Sequence, residues 1–183
     1  MFDAKLLLSV KLEPDMNIKP LDCGDTDLND FLFEDAKNYY DEMLGVTYLV
    51  EYDQKELAAY YCLFNDKIVF DFSGKDDPKR NWWKGFNKKN KIHFKKHRKT
   101  YPAVKIGRLA VDFHFKGNSV GSYILKAVIT MLIGTRDIGC RFITVDAYSD
   151  SLGFYLKNGF EFLSDEDEND KTRQMYYDLK KLS

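Results

Sequence analysis

The stretch from Ala103 to Gly134 restricts the fold more than any other. AVKIGRLAVD is an apolar segment whose β-branched residues suit the middle of a sheet. It leads without a linker into the turn FHFKGNS and then into VGSYILKAVITMLIG, where Val120, Ile124, Leu125, Val128, Ile129 and Leu132 recur at helical spacing. A strand that turns directly into a helix presents the helix's unbonded first amides, and the positive end of its dipole, at the tip of a sheet. Such a tip is an anion site built from backbone. Gly117 and Gly121 fit where the chain must take a positive φ or approach a ligand closely, Asn118 tolerates a left-handed conformation, and Lys116 adds charge. Neither G-x-G-x-x-G nor a Gly-Lys-Ser/Thr ending is present, so the dinucleotide and Walker cradles are excluded.

The remaining pattern supplies a sheet for this unit. Leu6 to Leu12 reads as a first strand closed by Pro14, followed by a turn-rich link from Pro20 to Asp25. DTDLNDFLFEDAKNYY predicts a helix with Leu28, Phe31, Leu32 and Ala36 on one face and Asp25 or Thr26 as its cap. VTYLVEY and ELAAYYCLF predict a hairpin around Asp53, Gln54 and Lys55. Beyond the long helix, CRFITVDAY is another buried strand, and SDSLGFYLKNG a short helix capped by Ser149 or Asp150 with Gly159 after its end. FEFLS and TRQMYYDLKKL make a closing hairpin with a solvated turn at Asp165 to Asp170. The mixture predicts an α/β (α+β) domain, and 183 residues without an internal repeat suit a single domain, 1–183.

Charge is unevenly spread. The net charge is -1, which gives no global pull toward nucleic acid, yet between Lys75 and Lys105 twelve Lys and Arg residues face two acids, Asp76 and Asp77. The apolar pattern lapses there, which predicts a basic, partly helical insertion at about 66–102 with Trp82, Trp83, Phe86, Phe94 and Tyr101 interleaved. Basic side chains contact phosphates and aromatic rings stack on exposed bases. The competing reading is a solvated, lysine-rich helix anchored by its tryptophans. His93 and His97 share a helical spacing but lack a third ligand, so no metal is expected. Cys23, Cys62 and Cys140, few and far apart, suit reduced thiols, and no run of about 20 apolar residues or signal segment occurs, so a soluble, cytoplasmic protein without a membrane partner is expected.

The order of these elements, with GRLAVDFHFKGNSVGSYIL followed by RFITVDAYSDSLGFYLKNGFEF, closely resembles the GNAT family of acetyl-CoA-dependent N-acetyltransferases. The resemblance implies an acyl-CoA N-acyltransferase fold: a mixed sheet of about seven strands flanked by helices, with strands four and five splayed. It implies that Leu109, Ala110 and Val111, together with Lys116, Gly117, Asn118, Ser119, Val120, Gly121 and Ser122, bind acetyl-CoA (coenzyme A), the turn taking the pyrophosphate on backbone amides. Lys116 stands where the family has Gln or Arg, and Ser119 where it has the middle Gly. FYLKNGF resembles the family segment whose tyrosine faces the thioester sulfur, which makes Tyr155 the candidate general acid. Asp112 and Asp146 flank the expected site, but an Asp at a strand end is more often a turn or capping residue, and no base is assigned.

Within the family, DCGDTDLNDFLFEDA, TYLVEY with ELAAYY, and GRLAVD are most similar to toxins of toxin–antitoxin pairs that acetylate aminoacyl-tRNA. This resemblance implies an amine acceptor on charged tRNA, an antitoxin protein as partner and a basic surface, which Lys95, Lys96, Arg98 and Lys99 of the insertion would supply beside Arg108 of the shared GRLAVD; it admits a homodimer. The alternatives are a GNAT acting on a small amine or protein N-terminus, and a non-catalytic acyl-CoA-sensing or nucleic-acid-binding module.

Overall fold

The computed structural model describes residues 2–72, 77–93, 98–135 and 139–182. Its strands are β1 (Leu7–Lys11), β2 (Val46–Tyr52), β3 (Glu56–Val69), β4 (Thr100–Val111), β5 (Phe142–Tyr148), β6 (Glu161–Phe162) and β7 (Thr172–Asp178). They form one sheet in the order β1-β2-β3-β4-β5-β7-β6, antiparallel throughout except for the parallel pair β4 and β5. Its helices are α1 (Thr26–Asp30), α2 (Ala36–Asp41), α3 (Pro78–Lys89), α4 (Val120–Thr135) and α5 (Leu152–Lys157). The single helix expected after Asp25 is two short helices joined by a π-helical turn over Phe31–Asp35, and Asp25 caps the first by accepting from the Leu28 amide at 3.1 Å. For α5, neither Ser149 nor Asp150 is the cap: both lie in a preceding 3-10 turn, and Ser151 precedes the helix without a side-chain capping bond.

Side chains alternate across the sheet and split the core. Ala59, Tyr61, Ile106, Ile143, Val145 and Tyr177 pack on one face with Val120, Ile124 and Val128 of α4 and Tyr155 of α5. Tyr60, Cys62 and Ala110 pack on the other with Phe31, Leu32 and Ala36. Further along that second face, Ile68, Phe70, Tyr101, Phe142 and Tyr176 pack against Trp83 and Phe86 of α3.

This third cluster changes the reading of the basic segment. β3 runs on to Val69 and β4 begins at Thr100, so both ends of the 66–102 segment belong to a long hairpin of the sheet. Trp83, Phe86 and Tyr101 are buried, Trp82 half-buried, and the Trp82 indole donates to the Leu163 carbonyl at 3.2 Å. These rings anchor α3 to β5, β6 and β7 and are not free to stack on bases. This is the anchored-helix reading: Trp83 and Phe86 form one helical face, while Lys79, Lys84 and Lys88 lie exposed around it.

β4 and β5 pair only over Ala103 to Lys105 against Phe142 to Thr144. Just beyond, Cys62 of β3 faces Arg108 while Leu63 faces Ile106, which leaves Gly107 as the extra residue of a bulge. The Phe64 ring covers this glycine so closely that a Cβ there would lie 1.7 Å from it; at Gly45, on the other side of the ring, the distance would be 2.3 Å. The bulge bends β4 away from β5, and the strands remain apart to their ends. Gly107→Ala is therefore expected to cost about 1–3 kcal/mol of stability through overpacking, measured as a lowered urea midpoint. Most of that cost should vanish in a Phe64→Ala background; an unchanged cost would mean that the backbone conformation, and not the ring, excludes the Cβ.

Candidate active site

The opened gap between β4 and β5 holds a cavity of about 610 Å³, lined by Ile106 to Leu109 on one side and Val145 to Tyr148 on the other, with Tyr155 among its walls. It shares Asp25, Leu28, Leu109, Asp150 and Ser151 with a second cavity of about 680 Å³ that runs over Lys116, Gly117 and Ser119 to Ser122. The two form one continuous cleft from the sheet to the start of α4.

Backbone groups along this cleft lack partners for a topological reason. The Asp112 amide donates to Ala58 of β3 at 2.9 Å. Successive amides of a strand point to opposite edges, so those of Val111 and Leu109 face the gap, where β5 has moved away. At the far end, the Val120, Gly121 and Ser122 amides form the first turn of α4, the turn whose amides a helix leaves without intrahelical acceptors. Tyr123 makes the first such bond, to the Ser119 carbonyl at 3.0 Å. Open strand amides followed by open helix amides fit a ligand with a peptide-like arm and an anionic end.

The turn differs in detail from its sequence reading. Gly117 takes a φ of 81° as expected, but the second left-handed residue is Ser119 at 61°, not Asn118. A serine there accepts strain of about 1–2 kcal/mol that glycine would avoid. Gly121 is required by space: a Cβ would meet the Phe154 ring at 3.0 Å, so the glycine lets α5 close against α4. Lys116 does not point its charge only at the cradle, because its ammonium donates to the Cys23 carbonyl at 2.8 Å and ties down the link before α1.

Asp112 completes that tie. Its carboxylate accepts from the Asp22 and His114 amides, each at 2.9 Å, and from the His114 ring at 3.0 Å. Burial opposes its charge, but these bonds prevail and hold the carboxyl below the usual aspartate range. It is a clamp for the cradle, as the capping reading anticipates. Asp146 pairs with Lys105 at the gap.

Tyr155 is 7% exposed, its ring held edge-on by Phe154 at 5.0 Å and Phe160 at 5.3 Å. Its hydroxyl has no hydrogen-bond partner among the described residues, and burial pushes the phenol up to about 12. It stays protonated and available as a donor into the gap. Arg108 lies on the opposite wall, its guanidinium over the Phe31 ring at 5.1 Å and 3.9 Å from Asp27. Arg98 and Lys99 are exposed at the far end of β4, the Lys99 ammonium donating to the Phe72 carbonyl at 2.5 Å. Lys95 and Lys96, with Phe94 and His97, lie outside the described residues. The sequence reading missed Asp27, Asp150, Ser151, Phe154 and Lys157, which line the cleft from α1, α5 and the turn before α5. The glycine inside an otherwise apolar strand, Gly107, was the signal for the bulge that opens it.

A sheet parted between its two parallel strands, with an amide cradle at one end of the gap and a buried phenol beside it, is the architecture of an acyltransferase that draws on coenzyme A. Residues 92–181 match the acetyltransferase (GNAT) domain model. No curated protein matches it by sequence. Among solved structures, a mutant of KacT is 23% identical over 96% of both chains, with a TM-score of 0.74. AtaTR bound with AcCoA is 20% identical over 97% of this chain and 96% of that one, at 0.73. AtaT complexed with acetyl-methionyl-tRNAfMet is 22% identical over 96% of both chains, at 0.72. At these identities the likeness establishes a common fold over nearly the whole chain.

Coenzyme A is expected to raise the melting temperature, since a ligand bound only by the folded state stabilises it by RT ln(1 + [L]/Kd). Gly121→Val should weaken that protection by displacing Phe154 and crowding the first turn of α4. No thermal shift at millimolar coenzyme A would contradict the cradle assignment.

Proposed function

We propose that this protein transfers the acetyl group of acetyl-CoA to the amino group of an aminoacyl-tRNA, as the toxin of a cytoplasmic toxin–antitoxin pair. The observation that carries the reading is the continuous cleft, in which open amides of β4 and α4 lead to the unpartnered Tyr155 hydroxyl. The solved structures of AtaT with acetyl-methionyl-tRNAfMet and of an AtaT mutant toxin bound to the C-terminus of the antitoxin AtaR support the acceptor and the antitoxin partner.

Acetyl-CoA supplies the thioester, an acyl donor with a good leaving group. On this reading the Leu109 and Val111 amides align the donor's arm along β4, and the amides of Val120 to Ser122 hold its anionic end. The Tyr155 hydroxyl donates a hydrogen bond to the sulfur as negative charge grows there. Full proton transfer from a phenol at about 12 to a thiolate of pKa about 8.5 is uphill, so hydrogen-bond donation rather than net acid catalysis is its contribution.

Tyr155→Phe keeps the packing with Phe154 and Phe160 and removes only the donor. Turnover should fall roughly 10- to 1000-fold while coenzyme A affinity and the melting temperature change little. An equal loss of stability would return Tyr155 to a packing role. Because the phenol stays protonated, the wild-type rate should show no loss from its ionisation between about pH 7 and 10. A falling limb in that range that disappears in Tyr155→Phe would contradict the assignment.

For the acceptor, the exposed Lys79, Lys84, Lys88 and Lys91, with Arg98 and Lys99, offer phosphate contacts on the face of the sheet that also carries α1 and Arg108. Acceptor affinity should fall with salt with a log–log slope of about −3 or steeper if four are used. Lys84, Lys88, Lys91 and Arg98 changed together to Gln should flatten that slope and raise the acceptor's KM. Equal slopes in both proteins would remove the basic segment from tRNA binding.

A further inference from the structure

The gap opens on the face of the sheet opposite α4, and its wall there has a definite charge. Arg108 on β4 shares that face with Ala110 of the α1–α2 cluster, and Asp146 and Tyr148 on β5 share it with Phe142 of the α3 cluster. The cavity is bordered by Asp25, Asp27, Asp146 and Asp150, against which it sets only Arg108 and Lys171; Asp25 and Asp150 also border the cradle cavity. Lys105, just behind, pairs with Asp146. Asp25 is held as the cap of α1, Asp27 stands 3.9 Å from Arg108, and the Lys171 ammonium lies 5.5 Å from the centroid of the Tyr148 ring. Even with Lys105 counted, carboxylates outnumber cations around the opening. That this opening takes a ligand rests on an independent feature: the Tyr155 hydroxyl, on a side chain only 7% exposed, borders the same cavity without a partner among the described residues.

We propose that this wall selects the acceptor by charge, favouring aminoacyl groups with a cationic or neutral side chain and rejecting those with an anionic one. The inference rests on the aminoacyl-tRNA reading above and narrows its substrate class. The amine that attacks must come within bonding distance of the thioester carbon beside Tyr155, so the aminoacyl side chain, one carbon away, is confined within several ångströms of these carboxylates. At that range and in a half-solvated cleft, one or two unmatched charges change selectivity by about tenfold.

The test compares arginyl, glutaminyl and glutamyl groups charged onto one and the same tRNA body, so that only the side chain differs. Arginine reports the cation without adding a second reactive amine. The expected order of kcat/KM is arginyl above glutaminyl above glutamyl, with about a tenfold or greater span. The span should shrink several-fold in the Asp27→Asn/Asp150→Asn double variant, whose isosteric changes lie on exposed side chains. Equal rates, a glutamyl preference, or a span unchanged in the double variant would overturn charge selection. The same three residues are also offered as amino-acid amides. Turnover of the amides in the same order without turnover of any charged tRNA would overturn the tRNA acceptor while supporting the charge-selecting wall. No turnover of either set would overturn both.

Discussion

The Phe64 ring lying against the bare Cα of Gly107 is the contact on which the rest of the site depends. It accompanies an extra residue in β4 just after the last paired position, Lys105 against Thr144. Parallel neighbours in the middle of a sheet normally satisfy each other's backbone, and pairing continued to Val111 would bury the amides of Leu109 and Val111 in the ladder. The bulge leaves them open without leaving them buried, because a cleft stands where β5 would have been. The same bend carries the end of β4 to the Asp112 clamp, which fixes the turn before α4 through the Asp22 and His114 amides. One close contact, a ring against a bare Cα, thus sits at the root of both the gap beside β4 and the turn before α4.

Much of this was legible in the chain because the determining signals are local. Alternation and helical spacing located the strands and α4, and with them the place of the FHFKGNS turn between β4 and α4. Gly107 marks where the strand can bulge, but a lone glycine does not announce which side chain needs the space: the Phe64 ring that covers it stands more than forty residues away in the chain. The left-handed Ser119 was assigned to Asn118 because asparagine tolerates that region better, and the tertiary placement of Gly117 and α4 overrode the local preference. For the aromatics of the basic segment two readings stood open, rings exposed for stacking or tryptophans anchoring a solvated helix, and Trp83, Phe86 and Asn87 as the buried stripe of an amphipathic α3 fit the second.

The two faces of the sheet divide the work on the proposed reading. α4 and α5 supply the donor side, with backbone amides and the Tyr155 phenol. The opposite face supplies the acceptor side, where lysines at the far end of the sheet meet an acidic wall at the gap. These opposite charges are compatible because they would contact different parts of one acceptor: phosphates are held at a distance from the reaction, and the aminoacyl group enters among carboxylates. α3 is therefore a structural part of the sheet's second face whose outer surface is free to carry charge.

The central claim is that the bulge-opened edge of β4 and the first turn of α4 form one cofactor site. Residue-resolved amide hydrogen exchange with and without acetyl-CoA tests it most directly. The account predicts slowed exchange at Leu109 and Val111 and at Val120 to Ser122, with little change at Asp112, whose amide already donates to Ala58. Protection confined to α4, or appearing instead along α3, would contradict it.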